Sequence, residues 1–316
     1  MLFIRTSILF SSIAWSVSLS GQGVTSQSSD SAANPTIAQD STITPSPTIA
    51  PSPTIALSPT IAPSPTIAPS PTIAHAHNDY EHDRPLLDAL SHGFRSVEAD
   101  VYLVNGQLLV AHDQPDVDPN RTLQSLYLEP LRRQIRDPSS AIQESDDFWL
   151  LIDVKSEAEP TFDAIEKVLA QFEDVVTNGR DGEAGGGPVR VVISGNRAKQ
   201  AICDSERKLA GLDGRLADIE SELTPSEMPW LSDNWRLHFE WRGEGSFPED
   251  QRRHLLELVK QTHDSGRLLR LWATPDSPAV WNELINAGVD LVNADDLAGL
   301  QSHLELQQRN ASPRQR

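Results

Sequence analysis

The sequence predicts a (β/α)8 TIM barrel preceded by a long non-globular arm. Three observations carry this reading. Short β-branched runs alternate with helical patterns from residue 72 to about residue 304. The runs are almost continuously apolar, which marks strands buried on both faces and therefore a parallel sheet. Seven or eight such units fit into roughly 230 residues, which suits a compact barrel better than an open sheet.

The arm comes first in the chain. Residues 1–21 place Arg5 before a short apolar run at 8–19 that is loosened by serines. A positive charge, a short apolar core and small residues in that order predict a secretory signal peptide and an exported protein. The run falls short of the ~20 apolar residues that a membrane span needs. Residues 22–71 form a Pro/Ser/Thr-rich tract in which "PSPTIA" recurs at Pro45, Pro51, Pro63 and Pro69, with "LSPTIA" at Leu57. A period of six is too short for a helical solenoid. Proline at every second or third position forbids helix and central strand, so the tract reads as an extended linker.

The globular part is expected to span 72–304, with a polar tail at 305–316. The last repeat supplies the first strand, 72–75. Further strands are expected at 96–103, 149–154, 189–193, 236–240, 268–272 and 291–293, with a weak fifth unit somewhere in 210–216. A hairpin strand at 107–111 follows the turn Asn105-Gly106. Helices are expected at 84–91, 123–135, 161–172, 248–263 and 278–287. The glycine-rich stretch 179–188 lacks the lysine of a phosphate-binding P-loop and reads as a flexible loop.

Acidic residues number 45 against 26 basic, a formal charge of −19. That excludes nucleic acid or an anionic membrane surface as the main partner and leaves room only for transient membrane contact. A negative substrate then needs local positive charge. Cys203 is the sole cysteine, so the fold holds without an internal disulfide, and Cys203 is expected as a small buried hydrophobe. The domain is expected to act as a monomer.

Five of the nine histidines fall between residues 75 and 113. In a (β/α)8 barrel the active site forms at the C-terminal ends of the strands. His75 ends the first strand, with His77 and Asn78 just beyond. Glu98 and Asp100 lie two apart on the second strand and project to one side. They point inward if Val97, Ala99 and Val101 face the helices. His112 and Asp113 end the hairpin strand, and Asp113 can orient the His112 ring. Asp153 and Lys155 repeat the two-residue spacing on the next strand. Charged groups inside a strand are costly unless paired or metal-bound. Carboxylate oxygens suit Mg²⁺ or Ca²⁺, two histidines can serve as acid and base near neutral pH, and a lysine adds a cation for a phosphoryl group. The set therefore suits phosphodiester cleavage.

The blocks "IAHAHNDY", "SVEADVYL", "GQLLVAHD" and "LLIDVK" resemble the phospholipase C-like phosphodiesterase superfamily. That group includes the glycerophosphodiester phosphodiesterases and the spider-venom type sphingomyelinases D. "DGRL" at 213–216, "SDNW" at 232–235, "WRGEG" at 241–245 and "WATPD" at 272–276 are similar to bacterial and fungal proteins resembling altered inheritance of mitochondria protein 6. The resemblance covers nearly all of the globular part. It implies a barrel, a divalent metal held by Glu98, Asp100 and Asp153, and catalytic His75 and His112. The substrate it implies is a small phosphodiester or a lipid head group.

Glycerophosphodiester phosphodiesterases carry His-Arg-Gly at the first strand, whereas here Ala76-His77 follows His75. Lys155, Asn78 or Arg242 are the candidates to replace that arginine. His75 is the favoured counterpart of the family histidine, with His77 as the alternative. Trp241 and Arg242 divide evenly between pocket wall and core with a surface ion pair, and Trp272 at a strand end leans toward the pocket. Asn293, Asp295 and Asp296 divide evenly between helix capping and the site. Two rival functions remain: a His-x-His metallohydrolase of amidohydrolase or PHP type, and a non-catalytic tethered binding barrel.

Overall fold

The computed structural model describes residues 72–140, 142, 147–177 and 186–311. The expected signal peptide, the linker and most of the glycine-rich stretch lie outside the described residues. Among the described residues nine strands form one sheet. They are β1 (Ile73–Ala76), β2 (Ser96–Val104), β3 (Gln107–Val110), β4 (Phe148–Val154), β5 (Val189–Gly195), β6 (Gly211–Gly214), β7 (Trp230–Asn234), β8 (Leu268–Trp272) and β9 (Leu291–Ala294). β1 pairs in parallel with both β2 and β9, so eight strands close on themselves. β3 is the ninth, antiparallel to β2 and outside the ring. This is the expected (β/α)8 barrel with a hairpin added to its second strand.

The helices are α1 (Leu87–Ser91), α2 (Glu129–Arg136), α3 (Ala158–Leu169), α4 (Lys199–Asp204), α5 (Trp235–His238), α6 (Glu249–Asp264), α7 (Pro278–Ala287) and α8 (Leu297–Ala311). Strand alternation sorts the core into two layers. Val97, Ala99 and Val101 of β2 pack outward with residues such as Tyr127, Leu131 and Ile165 on the helical ring. Trp149, Leu151, Val192, Trp230 and Leu291 fill the barrel floor. There Trp149 and Trp230 stack at 5.1 Å. The floor lies beneath the strand ends and seals the barrel, so polar groups at the other end work above a packed apolar base.

Four departures from the sequence reading have physical causes. The sixth barrel strand is Trp230–Asn234, not 236–240. Its Ser232, Asp233 and Asn234 disguise a strand. Trp235 and Phe239 are spaced i,i+4 and stack at 4.0 Å across a helical turn whose N-cap is the Asn234 side chain. Within 123–135, Pro130 lacks the N–H that a regular ladder needs, and a wide π turn (Gln124–Leu128) precedes α2. The stretch past 304, expected as a polar tail, begins as helix. α8 runs through Ala311, because Leu297 and Leu300 anchor its first turns and good helix formers continue it. Cys203 is half-buried on α4, not in the core. Among the described residues no helix is long and apolar enough to cross a membrane.

Candidate active site

Glu98 and Asp100 project inward from β2, and the register sets Asp100 beside Asp153 of β4. One oxygen from each of the three carboxylates lies within 4.8 Å of the others. No other group of three or more His, Cys, Asp or Glu side chains among the described residues comes together in this way. Gly195, at φ +68° on the neighbouring strand, leaves room for this cluster; a side chain there would overlap Asp153 Oδ1.

The three carboxylates differ electrostatically. Burial works to raise Glu98, but the Arg270 guanidinium at 2.6 Å and the His75 ring at 3.2 Å outweigh it and hold Glu98 far below the usual range. Asp100 is raised to about 6 by burial and by the charge of Glu98, against the pull of Lys155. Burial also raises Asp153, against Lys155. Lys155 Nζ ion-pairs with Asp153 and lies 3.1 Å from Asp100 Oδ2. These two carboxylates more than offset its burial and hold its proton more tightly than usual.

The residues present fit a hard divalent cation. Asp100 Oδ1 is buried with no hydrogen-bond partner, and burial raises two of the three carboxylates. An oxygen-liganded cation relieves both conditions.

The histidines separate into two roles. His75 is fully buried in the barrel. Its Nδ1 bonds Ser96 Oγ at 2.7 Å and its Nε2 faces Glu98. Burial, aided by Arg270, lowers it to about 4, so it is a neutral ring. Both nitrogens of His75 are thus engaged within the barrel, by Ser96 and by Glu98. His77 stands at the rim and bonds Asp295 Oδ1 at 2.8 Å. Burial pulls His77 down, but Asp295 and Glu98 outweigh it and leave it above its ordinary value.

His112 has 54% of its side chain exposed. Tyr80 Oη lies 2.9 Å from its Nδ1, with Asp100 Oδ2 at 3.6 Å. Tyr80, not the exposed Asp113, therefore orients this ring. The phenol also lies 2.8 Å from both Asp100 Oδ2 and Asn78 Oδ1, and donates its one proton to these acceptors. Burial and the Asp100 charge push Tyr80 far above its usual range, so it remains a hydrogen-bond donor.

The other expected pocket residues divide. Asn78 bonds Tyr80 from a left-handed backbone at φ 50°. Trp272 is half-buried at the end of β8. Trp241 belongs to the core: its ring packs 4.8 Å from Phe247 and its Nε1 donates to Glu244 O. Arg242 donates to Phe239 O and Trp241 O and so holds its own loop. Asp295 holds His77, whereas Asp296 caps α8 through Gly299 N. Asn293 accepts from Arg270 Nε. The sequence reading missed Tyr80, Ser96 and Arg270. Tyr80 closes the block that begins at His75, and Arg270 is a charge between leucines in a strand, the same signal that exposed Glu98.

Fold and site together define a (β/α)8 barrel with a cluster of three carboxylates at the C-terminal ends of its strands. Residues 66–209 match the AIM6-like phosphodiesterase domain, and residues 269–298 match the glycerophosphoryl diester phosphodiesterase family. The chain is 30% identical to altered inheritance of mitochondria protein 6 of Eremothecium gossypii over 263 residues, covering 71% of this chain and 67% of that protein. It is also 30% identical to the Arthroderma benhamiae homolog, covering 71% of this chain and 81% of that protein. The chain belongs to the family of altered inheritance of mitochondria protein 6. Among solved structures it is similar to a glycerophosphodiester phosphodiesterase from Parabacteroides distasonis, with TM-score 0.46, 17% identity, and coverage of 76% of this chain and 98% of that one.

Proposed function

We propose that this chain is a metal-dependent phosphodiesterase, acting on a glycerophosphodiester or phospholipid-type P–O bond, with His77 and His112 as its acid–base pair. The observation that carries the proposal is the pairing of each open histidine with a carboxylate beside the Glu98–Asp100–Asp153 cluster. Glu98, Asp100 and Asp153 would hold the metal. When bound, it stabilises negative charge on the phosphoryl oxygens.

The chain's own groups do the remaining work. With His112 Nδ1–H donating to Tyr80, Nε2 is free to take the proton from the attacking hydroxyl. As the new P–O bond forms, the ester P–O bond breaks and leaves an alkoxide. His77, whose hold on its proton Asp295 and Glu98 strengthen against its burial, gives that alkoxide its proton. Lys155, held cationic, is positioned to meet a phosphate oxygen. His75 holds Glu98 in place from below. The His-x-His metallohydrolase reading is disfavoured, because the His75 nitrogens bond Ser96 and Glu98 while His77 bonds Asp295. Export of the protein is supported by the sequence of residues 1–21 alone.

A panel of glycerophosphodiesters, lysophospholipids and sphingomyelin, followed by phosphorus NMR, tests the activity. Turnover should stop on exhaustive chelation and return with Mg²⁺ or Ca²⁺. Undiminished turnover after chelation would sink the metal requirement, and inertness toward every diester would sink the enzyme reading.

A further inference from the structure

The next two strand ends beyond Asp153 carry two arginines that this chemistry does not use. Gly195 ends β5, and Arg197 follows two residues later. Gly214 ends β6, and Arg215 follows at once. Asp213 of β6 is fully buried, and its Oδ2 accepts from Ser194 Oγ at 2.6 Å and from Arg215 NH1 at 2.7 Å. The Asp213 main-chain carbonyl accepts from Arg197 NH1 and lies 3.4 Å from Arg215 NH1. Two guanidiniums therefore gather on one neutral carbonyl.

Only one of them has a carboxylate. Arg215 pairs with Asp213, while no carboxylate ion-pairs with Arg197 among the described residues. Arg197 is half-buried, and burial together with the charge of Arg215 weakens its hold on its proton. Lys199 stands 3.5 Å from Asp218 on the same rim. Arg197 thus shares this rim with Arg215 and Lys199, while Asp213, Asp218 and Asp153 are the carboxylates that act on it, in a chain whose formal charge is −19. Like charges held together and partly desolvated are costly, and an anion between them removes the cost.

We propose that Arg197 and Arg215 form an anion subsite beside the reaction centre, so that the preferred substrate is a phosphodiester whose alcohol bears a second phosphate or carboxylate. This rests on the phosphodiesterase reading above. The subsite lies one to two strands from Asp153, roughly 5–10 Å at ordinary strand spacing. A glycerol- or inositol-sized spacer bridges that distance. The two arginines would meet the second anion while Lys155 meets the scissile phosphate.

The test compares two probes by titration calorimetry on the full chain, 1,3-propanediol bisphosphate and propyl phosphate. Wild type should bind the bisphosphate at least about tenfold more tightly, the gain of one charged hydrogen-bond set. The overall negative charge opposes this preference, so general electrostatics cannot produce it. Arg197→Gln should cut the advantage to within about threefold, and Arg197→Lys should retain most of it. Equal binding of both probes by wild type, or an undiminished advantage in Arg197→Gln at an unchanged melting temperature, would overturn the subsite. Turnover of simple diesters is followed in parallel. Turnover without the bisphosphate advantage sinks the subsite and spares the enzyme. The advantage without turnover upholds the anion site and sinks the catalytic reading.

Discussion

The arc formed by β1, β2 and β4 and the segment from β7 to α6 both line the C-terminal end of the barrel, and they spend their residues differently. The arc buries Ser96, His75, Glu98 and Asp100; hydrogen bonds tie the first three together, and Asp100 accepts from Tyr80. The segment buries Trp235, Phe239, Trp241 and Phe247 against one another. Polar groups in the arc are too costly to bury without a partner, so their positions report chemistry. Aromatic groups are stable wherever they are covered, so theirs report packing.

Substitutions in both regions break or sharpen this contrast. The largest effect belongs to the arc. His112→Asn should lower kcat by about 10²–10⁴, the usual worth of a positioned acid or base, with the melting temperature unchanged because the ring is half exposed. His75→Asn should instead lower stability, since it removes a buried partner of Glu98. Should His75→Asn silence a stably folded enzyme while His112→Asn stays active, the assignment of the two rings is reversed.

The segment should respond in the opposite sense. Trp241→Ala should destabilise the fold by about 3–5 kcal/mol, as buried tryptophans do, and leave KM nearly unaltered. A raised KM with an intact melting temperature would move Trp241 to the pocket wall.

Asp79 gives a pH-dependent test. It is buried, and burial lifts it from 3.8 to about 7 against the Leu86 N–H bond to its carboxylate. The native state keeps a proton between these values that the unfolded chain has lost, so stability falls as pH rises from about 4 to 7. Asp79→Asn has no such titration. Relative to wild type, it should gain on the order of 2–3 kcal/mol between pH 5 and 8 in denaturant unfolding. Parallel pH curves for the two proteins would exclude a titrating Asp79.

The smallest effect is that of Tyr80→Phe. It deletes the hydroxyl between His112 and Asp100 and should lower kcat about tenfold, with a displaced limb in the pH–rate profile. A tenfold loss without that displacement would reduce Tyr80 to a packing role.

The same contrast accounts for what the sequence disclosed. Glu98-x-Asp100 and Asp153-x-Lys155 are legible because an apolar strand tolerates charges at period two only where they are paired or meet a ligand. The barrel is legible from the alternation of runs. The strand Trp230–Asn234 is not, because polar residues sit where its end meets the site. Which of His75 and His77 faces the mouth is also hidden. One residue past a strand end can continue inward or turn to the rim, and the bond to Asp295, 218 residues away, decides it. Tyr80 is hidden for a related reason, since it joins the site through a short 3-10 turn (Asp79–Glu81) that has no pattern of its own.

The closure of β1 against β9 has a consequence for how the protein is made. Chains emerge from the ribosome from the first residue onward, and domains fold as their parts become available. Here His77 awaits Asp295, Glu98 awaits Arg270 across 172 residues, and the first strand awaits one of the last. Contacts of such long range come late in folding. A nascent chain that has not yet released residues 291–295 has its histidines and carboxylates but not their arrangement. The order of synthesis thus withholds the arrangement of the site until β9 is free to pair with β1.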